Sequence, residues 1–323
     1  MRAPFQLDLH VPNFNWPDTP ADALFERLVE IALTAERSGF SSISVMDHLH
    51  QIRGVGPAEN WMLEGNATLA ALGARTSTIN LGLLVGGVTY RNPALLAKAT
   101  TTIDVISGGR AVLGLGAAWF EGEHLAYGYA FPPLKERFER LEDALRIARA
   151  MFTQDVATYA GKHHRVDGAF NNPKPLRGDI PILIGGSGER KTLRFVAQYA
   201  DGSNLFGDVE RVRHLLGVLE AHCEDVGRDP AEITKTRMGT LYLAPTHEAA
   251  VAKLDAVLAR AADPERARAT AFVGAPDEVA EQVQAYLDAG LDGVTLSMPD
   301  VYDLETVALA GETLGAVIGT LRA

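Results

Sequence analysis

Cysteine is nearly absent from this 323-residue sequence, since Cys223 is the only one. One cysteine cannot form an intrachain disulfide or a cysteine metal cluster, and such a chain is compatible with a reducing cytosol. Basic residues are also in deficit, with 30 lysines and arginines against 41 acidic residues and a formal net charge of −11. This balance argues against nucleic acid or an anionic membrane as a partner, because both select basic surfaces.

Long apolar runs are missing too. No run reaches membrane-spanning length, and residues 1–14 lack the basic, apolar and small-residue order of a signal peptide. We therefore expect a soluble cytoplasmic protein with no membrane partner. Hydrophobic residues nevertheless make up 47% of the chain, which is enough for a substantial core.

What the sequence does contain is a repeated alternation of short apolar strands and longer amphipathic helices. Strands are predicted at 5–11, 43–46, 79–85, 110–115, 182–184, 202–206, 234–244 and 293–297. Helices are predicted at 19–39, 66–75, 92–106, 134–152, 193–200, 209–226, 246–262, 275–290 and 303–321. Eight β-then-α units without an obvious linker favour an α/β fold, a (β/α)8 TIM barrel spanning residues 1–323 as a single domain, over an open doubly wound sheet. Residues 153–181 are predicted to form an inserted hairpin and loop.

The fifth predicted strand leads into a glycine-rich turn, Gly185-Gly186-Ser187-Gly188, which precedes a helix. Glycines let the main chain approach a ligand closely, and the first N–H groups of a helix favour negative charge. Ser187 is expected to cap the helix or to donate to a phosphate, with positive charge from Arg190 and Lys191. The alternative is an ordinary tight turn with a serine cap and two solvated basic side chains.

Other chemistry-bearing residues follow the ends of other predicted strands. Asp47 and His48 follow the second strand, the 114–124 run follows the fourth, and Phe206 ends the sixth. Because the loops after all eight strands converge at one end of a barrel, we expect these residues to share one site.

These junctions resemble the luciferase-like monooxygenase superfamily, and within it the oxidoreductases that use the deazaflavin coenzyme F-420. The resemblance covers nearly the whole chain, through AERSGFSSISVMDHLH at 35–50, the LGLLVGGVTYRNPALLAKATTTIDVISGGRAVLGLGAAWFEGEH run at 81–124, IPILIGGSGERKTLRFVAQYADGSN at 180–204 and FVGAPDEVAEQVQAYLDAGLDGVTLSMP at 272–299. It implies a barrel with inserted segments, a tricyclic ring in the barrel mouth, and a phosphate tail that runs to the loop after strand five.

The resemblance assigns roles to the residues after strands two and three. His48 matches a histidine near the reactive edge of the deazaflavin, where an imidazole can polarise the ring or carry a proton. Asp47 is its catalytic neighbour or only its orienting partner. Leu84 and Val85 match a bulged strand with a non-proline cis peptide that backs the central ring.

The resemblance also covers strand four and the glycine turn. Gly116, Ala117 and Ala118 match a small-residue segment that lets the cofactor approach the backbone, and the glycine turn with Arg190 matches the phosphate loop. Glu123 matches a family glutamate, which we interpret as the salt-bridge partner of a nearby basic residue. The sequence departs from the family's sugar-phosphate dehydrogenases, with Trp119 in place of their acid and Ile52 in place of a tryptophan, which argues against sugar-phosphate oxidation.

The resemblance therefore predicts hydride transfer between coenzyme F-420 and a small organic substrate. The alternatives are a luciferase-like monooxygenase that uses flavin mononucleotide (FMN), a non-catalytic flavin or deazaflavin carrier, and a phosphate-binding aldolase or isomerase barrel. Family habit predicts a homodimer. No metal site is predicted, because His163 and His164 are adjacent on an inserted strand without a carboxylate cluster. Candidate apolar walls for a substrate are Trp16, Trp61, Trp119, Phe120 and Phe206.

Overall fold

The computed structural model describes residues 5–260 and 263–320. Its strands are β1 (Leu7–Val11), β2 (Ser42–Val45), β3 (Asn80–Leu83), β4 (Gly86–Gly87), β5 (Ala111–Gly116), β6 (Ala157–Ala160), β7 (Arg165–Ala169), β8 (Ile182–Gly185), β9 (Gly202–Leu205), β10 (Thr234–Leu243), β11 (Ala271–Gly274) and β12 (Gly293–Ser297). Its α-helices are α1 (Leu24–Ser38), α2 (Gly65–Arg75), α3 (Pro93–Ser107), α4 (Glu121–Ala126), α5 (Leu134–Thr153), α6 (Thr192–Tyr199), α7 (Val209–Val226), α8 (His247–Leu258), α9 (Pro264–Ala269), α10 (Pro276–Leu287) and α11 (Leu304–Ile318). A short 3-10 helix lies at Pro230–Glu232.

Eight parallel strands close into a barrel in the order β1, β2, β3, β5, β8, β9, β10 and β12, and β12 pairs back with β1. The predicted (β/α)8 TIM barrel is confirmed. The predicted insertion is the antiparallel hairpin of β6 and β7, which lies between α5 and β8. Two further short strands lie outside the ring, since β4 pairs with the end of β5 and β11 pairs with the second half of β10.

The alternating side chains of β1 explain how the barrel is filled. Leu7 and Leu9 are fully buried in a core that also contains residues of α1 and α11. Asp8 and His10 point the other way, into the barrel, because side chains alternate across a strand. Asp8 lines a small internal cavity together with side chains from five other strands of the ring, among them Ser44 and Thr295. The inside of this barrel is therefore partly polar.

The caps that the sequence predicts are only partly present. Asn92 caps α3 as expected, because its side chain accepts hydrogen bonds from the N–H groups of Ala94 and Leu95. The prediction that α1 starts at Thr19 and Pro20 is wrong. The Thr19 hydroxyl donates to Pro17 O instead, and a turn leads to the first helical residue, Leu24.

Further differences concern the third strand, a strand that was not predicted and the end of the helix at 246–262. The third strand splits into β3 and β4 around residues 84–85, and β11 was not predicted because four residues ending in a glycine show too little alternation. The helix predicted at 246–262 corresponds to α8, and its last two residues lie outside the described residues. The predicted end of the last helix, Leu321, also lies outside them.

Candidate active site

The segment after β3 joins the ends of three other strands at the barrel mouth. The Leu84–Val85 peptide bond is cis, as the resemblance implies. Leu84 N–H donates to Val45 O at the end of β2, at 3.0 Å. A methyl group at Gly116 would lie 2.9 Å from Val85 Cγ2, and one at Gly185 would lie 3.1 Å from both Val85 methyl groups. Val85 therefore occupies the space beside both glycines, and the ends of β2, β5 and β8 meet around this segment.

His48 is held by Glu123, which belongs to the short helix α4 after β5. His48 Nδ1 lies 2.9 Å from Glu123 Oε2. The same carboxylate accepts hydrogen bonds from the Tyr90 hydroxyl and from the N–H groups of Leu49 and His50. Burial alone would raise the pKa of Glu123, but the hydrogen bonds from His48, Tyr90 and Leu49 lower it to about 2. Glu123 is thus an ionised acceptor at neutral pH, and it fixes the proton of a neutral His48 on Nδ1.

Asp47 does not orient the imidazole. Its Oδ2 accepts a hydrogen bond from Gly87 N–H at 2.9 Å and forms an ion pair with Arg91 Nη1 at 2.7 Å. Arg91 also contacts Glu64 at 2.5 Å. Burial alone would lower the pKa of Arg91, but its contacts with these two carboxylates raise it. The structure therefore places Asp47 where it connects the end of β2 to the segment after β3, and the residue that orients His48 is Glu123.

Two aromatic side chains lie against the His48 ring. Trp119 and Phe120 stack with ring centroids 5.2 Å apart, and they lie 5.5 Å and 6.0 Å from the His48 centroid in edge-on orientations. Trp119 is 60% exposed, whereas Trp16 is buried beside Phe14 in the core. Trp119 and Phe120 thus form an apolar surface beside the imidazole, while Trp16 packs inside the protein. Two further predicted wall residues are partly exposed: Trp61 and Phe206.

The small residues after β5 adopt a constrained turn. Ala118 has a φ of 57°, in the left-handed region that costs a non-glycine residue about 1–2 kcal/mol. Arg137 Nη1 donates to Ala118 O, and its Nε donates to Pro132 O at 3.1 Å. The Arg137 guanidinium also lies 4.2 Å from the centroid of the Phe131 ring. Arg137 therefore holds the Ala117 and Ala118 turn in place, and sequence reasoning did not identify this residue.

The glycine turn after β8 leaves main-chain donors free. Gly186 has a φ of 121°, which favours glycine, and its N–H donates to Asn204 O at 3.0 Å. Within the described residues, the N–H groups of Ser187 and Gly188 donate to no protein atom. Arg190 is exposed and makes no ion pair there. Free main-chain N–H groups and a nearby arginine in the chain are the kinds of group that bind an anion.

Ser187 does not cap the following helix. Its hydroxyl accepts a hydrogen bond from Phe206 N–H at 2.9 Å, and α6 begins only at Thr192. A methyl group at Gly188 would lie 2.7 Å from Thr192 Oγ1, so glycine is required there by the start of α6. Ser187 therefore connects the turn after β8 to the residue after β9, and both its N–H and its hydroxyl hydrogen are left to donate to a ligand.

A hydrogen-bonded line inside the barrel was not predicted. Ser44 Oγ donates to Asp8 Oδ2 at 2.6 Å and lies 2.9 Å from His10 Nδ1. All three side chains are buried, and Asp8 Oδ1 has no partner in the described chain. The polar alternation of Asp8 and His10 in β1 and of Ser42 and Ser44 in β2 was visible in the sequence and would have indicated it.

His163 and His164 help to attach the inserted hairpin to helix α5. Their N–H groups donate to Asp143 Oδ2 at 2.7 and 2.9 Å, and His163 Nε2 lies 2.9 Å from Glu139. Within residues 5–260 and 263–320, no group of three or more His, Cys, Asp or Glu side chains is arranged to hold a metal ion.

Comparison with known proteins supports the barrel fold. Residues 5–293 match the family described as luciferase-like monooxygenase. An F-420-dependent glucose-6-phosphate dehydrogenase of Nocardia farcinica is 31% identical over 304 residues, covering 84% of this chain and 88% of that protein. One of Segniliparus rotundus is 30% identical over 302 residues, with the same coverage of both chains.

Solved structures share the fold at lower identity. The coenzyme F-420-dependent tetrahydromethanopterin reductase of Methanopyrus kandleri superposes with a TM-score of 0.78 at 17% identity, covering 97% of this chain and 99% of that one. The EDTA monooxygenase of Chelativorans sp. BNC1 gives 0.83 at 16% identity, covering 98% and 95%. At such identities the likeness establishes a common fold.

Proposed function

The chain belongs to the luciferase-like monooxygenase family, and from this premise we propose that it is an oxidoreductase that transfers a hydride between coenzyme F-420 and a small organic substrate. Two relatives at 30–31% identity are named as F-420-dependent dehydrogenases and match 84% of the chain. The observation that carries the proposal is the pairing of two features at one barrel mouth: an imidazole with a fixed tautomer, and a turn with free amides.

The residues present fit the cofactor. A deazaflavin with a phosphate and an acidic tail needs main-chain donors and a cation, which Ser187 N–H, Gly188 N–H and Arg190 offer. The neighbouring glycines Gly185 and Gly186 give the turn its shape. The ring would be held by five residues of the segments after β3 and β5: Leu84, Val85, Gly116, Ala117 and Ala118.

The F-420 ring, when bound, accepts or donates a hydride, because carbon replaces the reactive nitrogen of a flavin. The protein supplies the polar groups around the ring. In its neutral form, with the proton held on Nδ1 by Glu123, His48 carries a lone pair on Nε2 that can polarise the ring. Trp119 and Phe120 cover one side of the imidazole and help to exclude water.

We propose that the substrate is a small organic alcohol or carbonyl compound rather than a sugar phosphate. Glu123 is buried, fully ionised and used by four donors, so it is a poor proton donor. Trp119 stands where the related sugar-phosphate enzymes have an acid, and its ring presents an apolar surface. The relatives that match over most of the chain are named as glucose-6-phosphate dehydrogenases, so glucose 6-phosphate is a necessary comparison in any substrate screen.

Cofactor titration tests this function directly. Purified protein is titrated with F-420 and with FMN, followed by fluorescence. Micromolar binding of F-420 with no binding of FMN supports the proposal, and the reverse result replaces it with the FMN monooxygenase. Binding of F-420 without turnover of secondary alcohols, ketones, unsaturated carbonyl compounds or glucose 6-phosphate would instead indicate a cofactor carrier.

A pair of arginine variants tests the anion site itself. Arg190→Ala should weaken F-420 binding about tenfold, or about 1.4 kcal/mol, because it removes a cation beside the phosphate. Arg213→Ala, an exposed arginine on α7, is the matched control and should leave the Kd unchanged. Equal affinities for the two variants would place the phosphate elsewhere.

We further propose a cytoplasmic homodimer. The helix α3 carries three exposed apolar side chains, Leu95, Val105 and Ile106, and such a face favours a protein interface. No helix in the described residues is long and apolar enough to cross a membrane. Light scattering should give twice the 34.7 kDa of one chain, and the double variant Leu95→Lys with Ile106→Lys should give a single-chain mass. A single-chain mass for the unaltered protein would refute the dimer.

A further inference from the structure

The interior line of Asp8, Ser44 and His10 lies near His48, since the two imidazoles are close enough for their charges to interact. His10 and Ser44 are directly opposite in the pairing of β1 and β2, and His48 follows β2 three residues after its end. His10 Nε2 makes no hydrogen bond to the described residues. It also does not belong to their fully buried polar atoms that lack a partner. This nitrogen therefore reaches accessible space while Nδ1 is tied to Ser44.

His10 is unsuited to carrying a charge. Burial, together with repulsion from His48, lowers the pKa of His10 to about 3, so its imidazole is neutral at physiological pH. The groups that face it are Asp8 on its own strand, Ser44 and His48 from the β2 side, and Ser297 opposite it on β12. His10 can take part in proton transfer only if it releases one proton while it accepts another.

Asp8 is able to take the released proton. Burial raises the pKa of Asp8 to about 6 against the opposing effects of the Ser44 and Ser42 hydroxyls. Such a carboxyl gains and loses a proton near neutral pH, whereas the Glu123 carboxylate does not. The two imidazoles therefore differ in their acidic partners. His48 contacts Glu123, which stays ionised, whereas His10 is connected through Ser44 to Asp8, which can be protonated.

We propose that Asp8, Ser44 and His10 form a proton relay that serves the substrate hydroxyl or carbonyl, an inference that rests on the proposed hydride transfer. In the oxidation direction, the substrate O–H bond breaks and its proton joins His10 Nε2. The Nδ1 proton moves to Ser44 Oγ, and the Ser44 proton moves to Asp8 Oδ2. The hydride leaves the same substrate carbon for F-420, so the substrate loses two electrons and two hydrogens.

The reverse flow serves reduction. Protonated Asp8 donates to Ser44, Ser44 donates to His10 Nδ1, and His10 Nε2–H protonates the new alkoxide. No step places a positive charge on the buried imidazole. The relay returns to its starting state when its proton passes to solvent through the emptied site.

The relay predicts a switch of tautomer that can be measured without a substrate. Histidine side-chain nitrogen NMR of the labelled full chain, with His10→Gln for assignment, should show the Nδ1–H form at pH 8. The Nε2–H form should replace it below a midpoint near the Asp8 pKa of about 6. The switch should vanish in Ser44→Ala and in Asp8→Asn. It should persist in Ser42→Ala with a higher midpoint, because Ser42 does not reach His10 but lowers the Asp8 pKa.

A His10 tautomer that stays constant from pH 5 to 8, or an imidazolium that forms in this range, would overturn the relay.

Turnover provides the second measurement, on whichever alcohol or ketone the substrate screen identifies. Ser44→Ala should lower kcat about 100-fold, in the range for a lost proton-transfer group, with F-420 affinity unchanged and with recovery in Ser44→Thr. If kcat and its pH profile are unchanged in Ser44→Ala while F-420 still binds, the relay is refuted and the proposed function is not. If F-420 does not bind at all, the proposed function fails, and the tautomer measurement still decides on the relay.

Discussion

Glu123→Gln exchanges a buried carboxylate for a neutral amide of the same shape and leaves its four donors in place. Those donors are His48 Nδ1, the Tyr90 hydroxyl and the N–H groups of Leu49 and His50. A glutamine offers one acceptor oxygen, and its amide N–H groups face donors instead of acceptors. The variant should therefore lose stability as well as the fixed tautomer of His48.

The lowered pKa of Glu123 sets the size of the loss. A shift from the ordinary 4.5 to about 2 corresponds to about 3 kcal/mol of stabilisation at pH 7. Because the folded-state pKa lies below the unfolded-state value, this contribution is complete above pH 4.5 and is lost as the pH falls through 2. The difference between the original chain and the variant should shrink from about 3 kcal/mol at pH 7 to about 1 kcal/mol at pH 3.

Urea unfolding at pH 7, 5, 4 and 3 measures this difference. Glu121→Gln is the matched control, because Glu121 lies in the same helix α4 and is exposed. We expect it to change the free energy of unfolding by less than about 0.5 kcal/mol at each pH. The reasoning is refuted if Glu123→Gln is as stable as its control at pH 7, or if its deficit stays constant as the pH falls.

Three further predictions concern other parts of the site and the inserted hairpin. His48→Ala should lower kcat about 100-fold or more, as loss of a preorganised polar group beside the ring does, with less than a threefold change in the F-420 Kd measured by titration. Gly116→Ala should destabilise the protein by about 1–3 kcal/mol in urea, because its methyl group would meet Val85, whereas Gly217→Ala on α7, with open space around it, should be neutral or stabilising. Asp143→Asn should speed hydrogen exchange in β6 and β7 with little change in the barrel strands, because this carboxylate accepts the N–H groups that anchor the hairpin.

Local periodicity was sufficient for most of the fold. Each ring strand and each long helix shows a pattern of apolar residues that can be recognised from nearby residues alone. The order of β and α units then favours a closed barrel. The errors occurred where local signals compete. Pro20 is a good first helical residue, yet the Thr19 hydroxyl bonds to Pro17 O, and the helix begins at Leu24.

The contacts of the site depend on residues far apart in the sequence, which the sequence does not reveal. Asp47 pairs with Arg91 across 44 positions, and His48 pairs with Glu123 across 75. The position of each residue at a strand end was predictable, because all strand ends of a barrel face one way. Which carboxylate meets the imidazole depends on the paths of two long loops, and those paths follow from packing that no local pattern encodes.

The glycines at the barrel mouth are required for different physical reasons, and on this basis they fall into two pairs. Gly116 and Gly185 are small because Val85 fills the space beside them. Gly186 is glycine because its backbone is left-handed, and Gly188 because Thr192 leaves no room for a methyl group. In the second pair's segment, the N–H groups of Ser187 and Gly188 donate to no atom of the described residues. Gly116 and Gly185 are therefore explained by packing against Val85, whereas the turn that contains Gly186 and Gly188 also has free N–H groups, which is why we propose the anion site there.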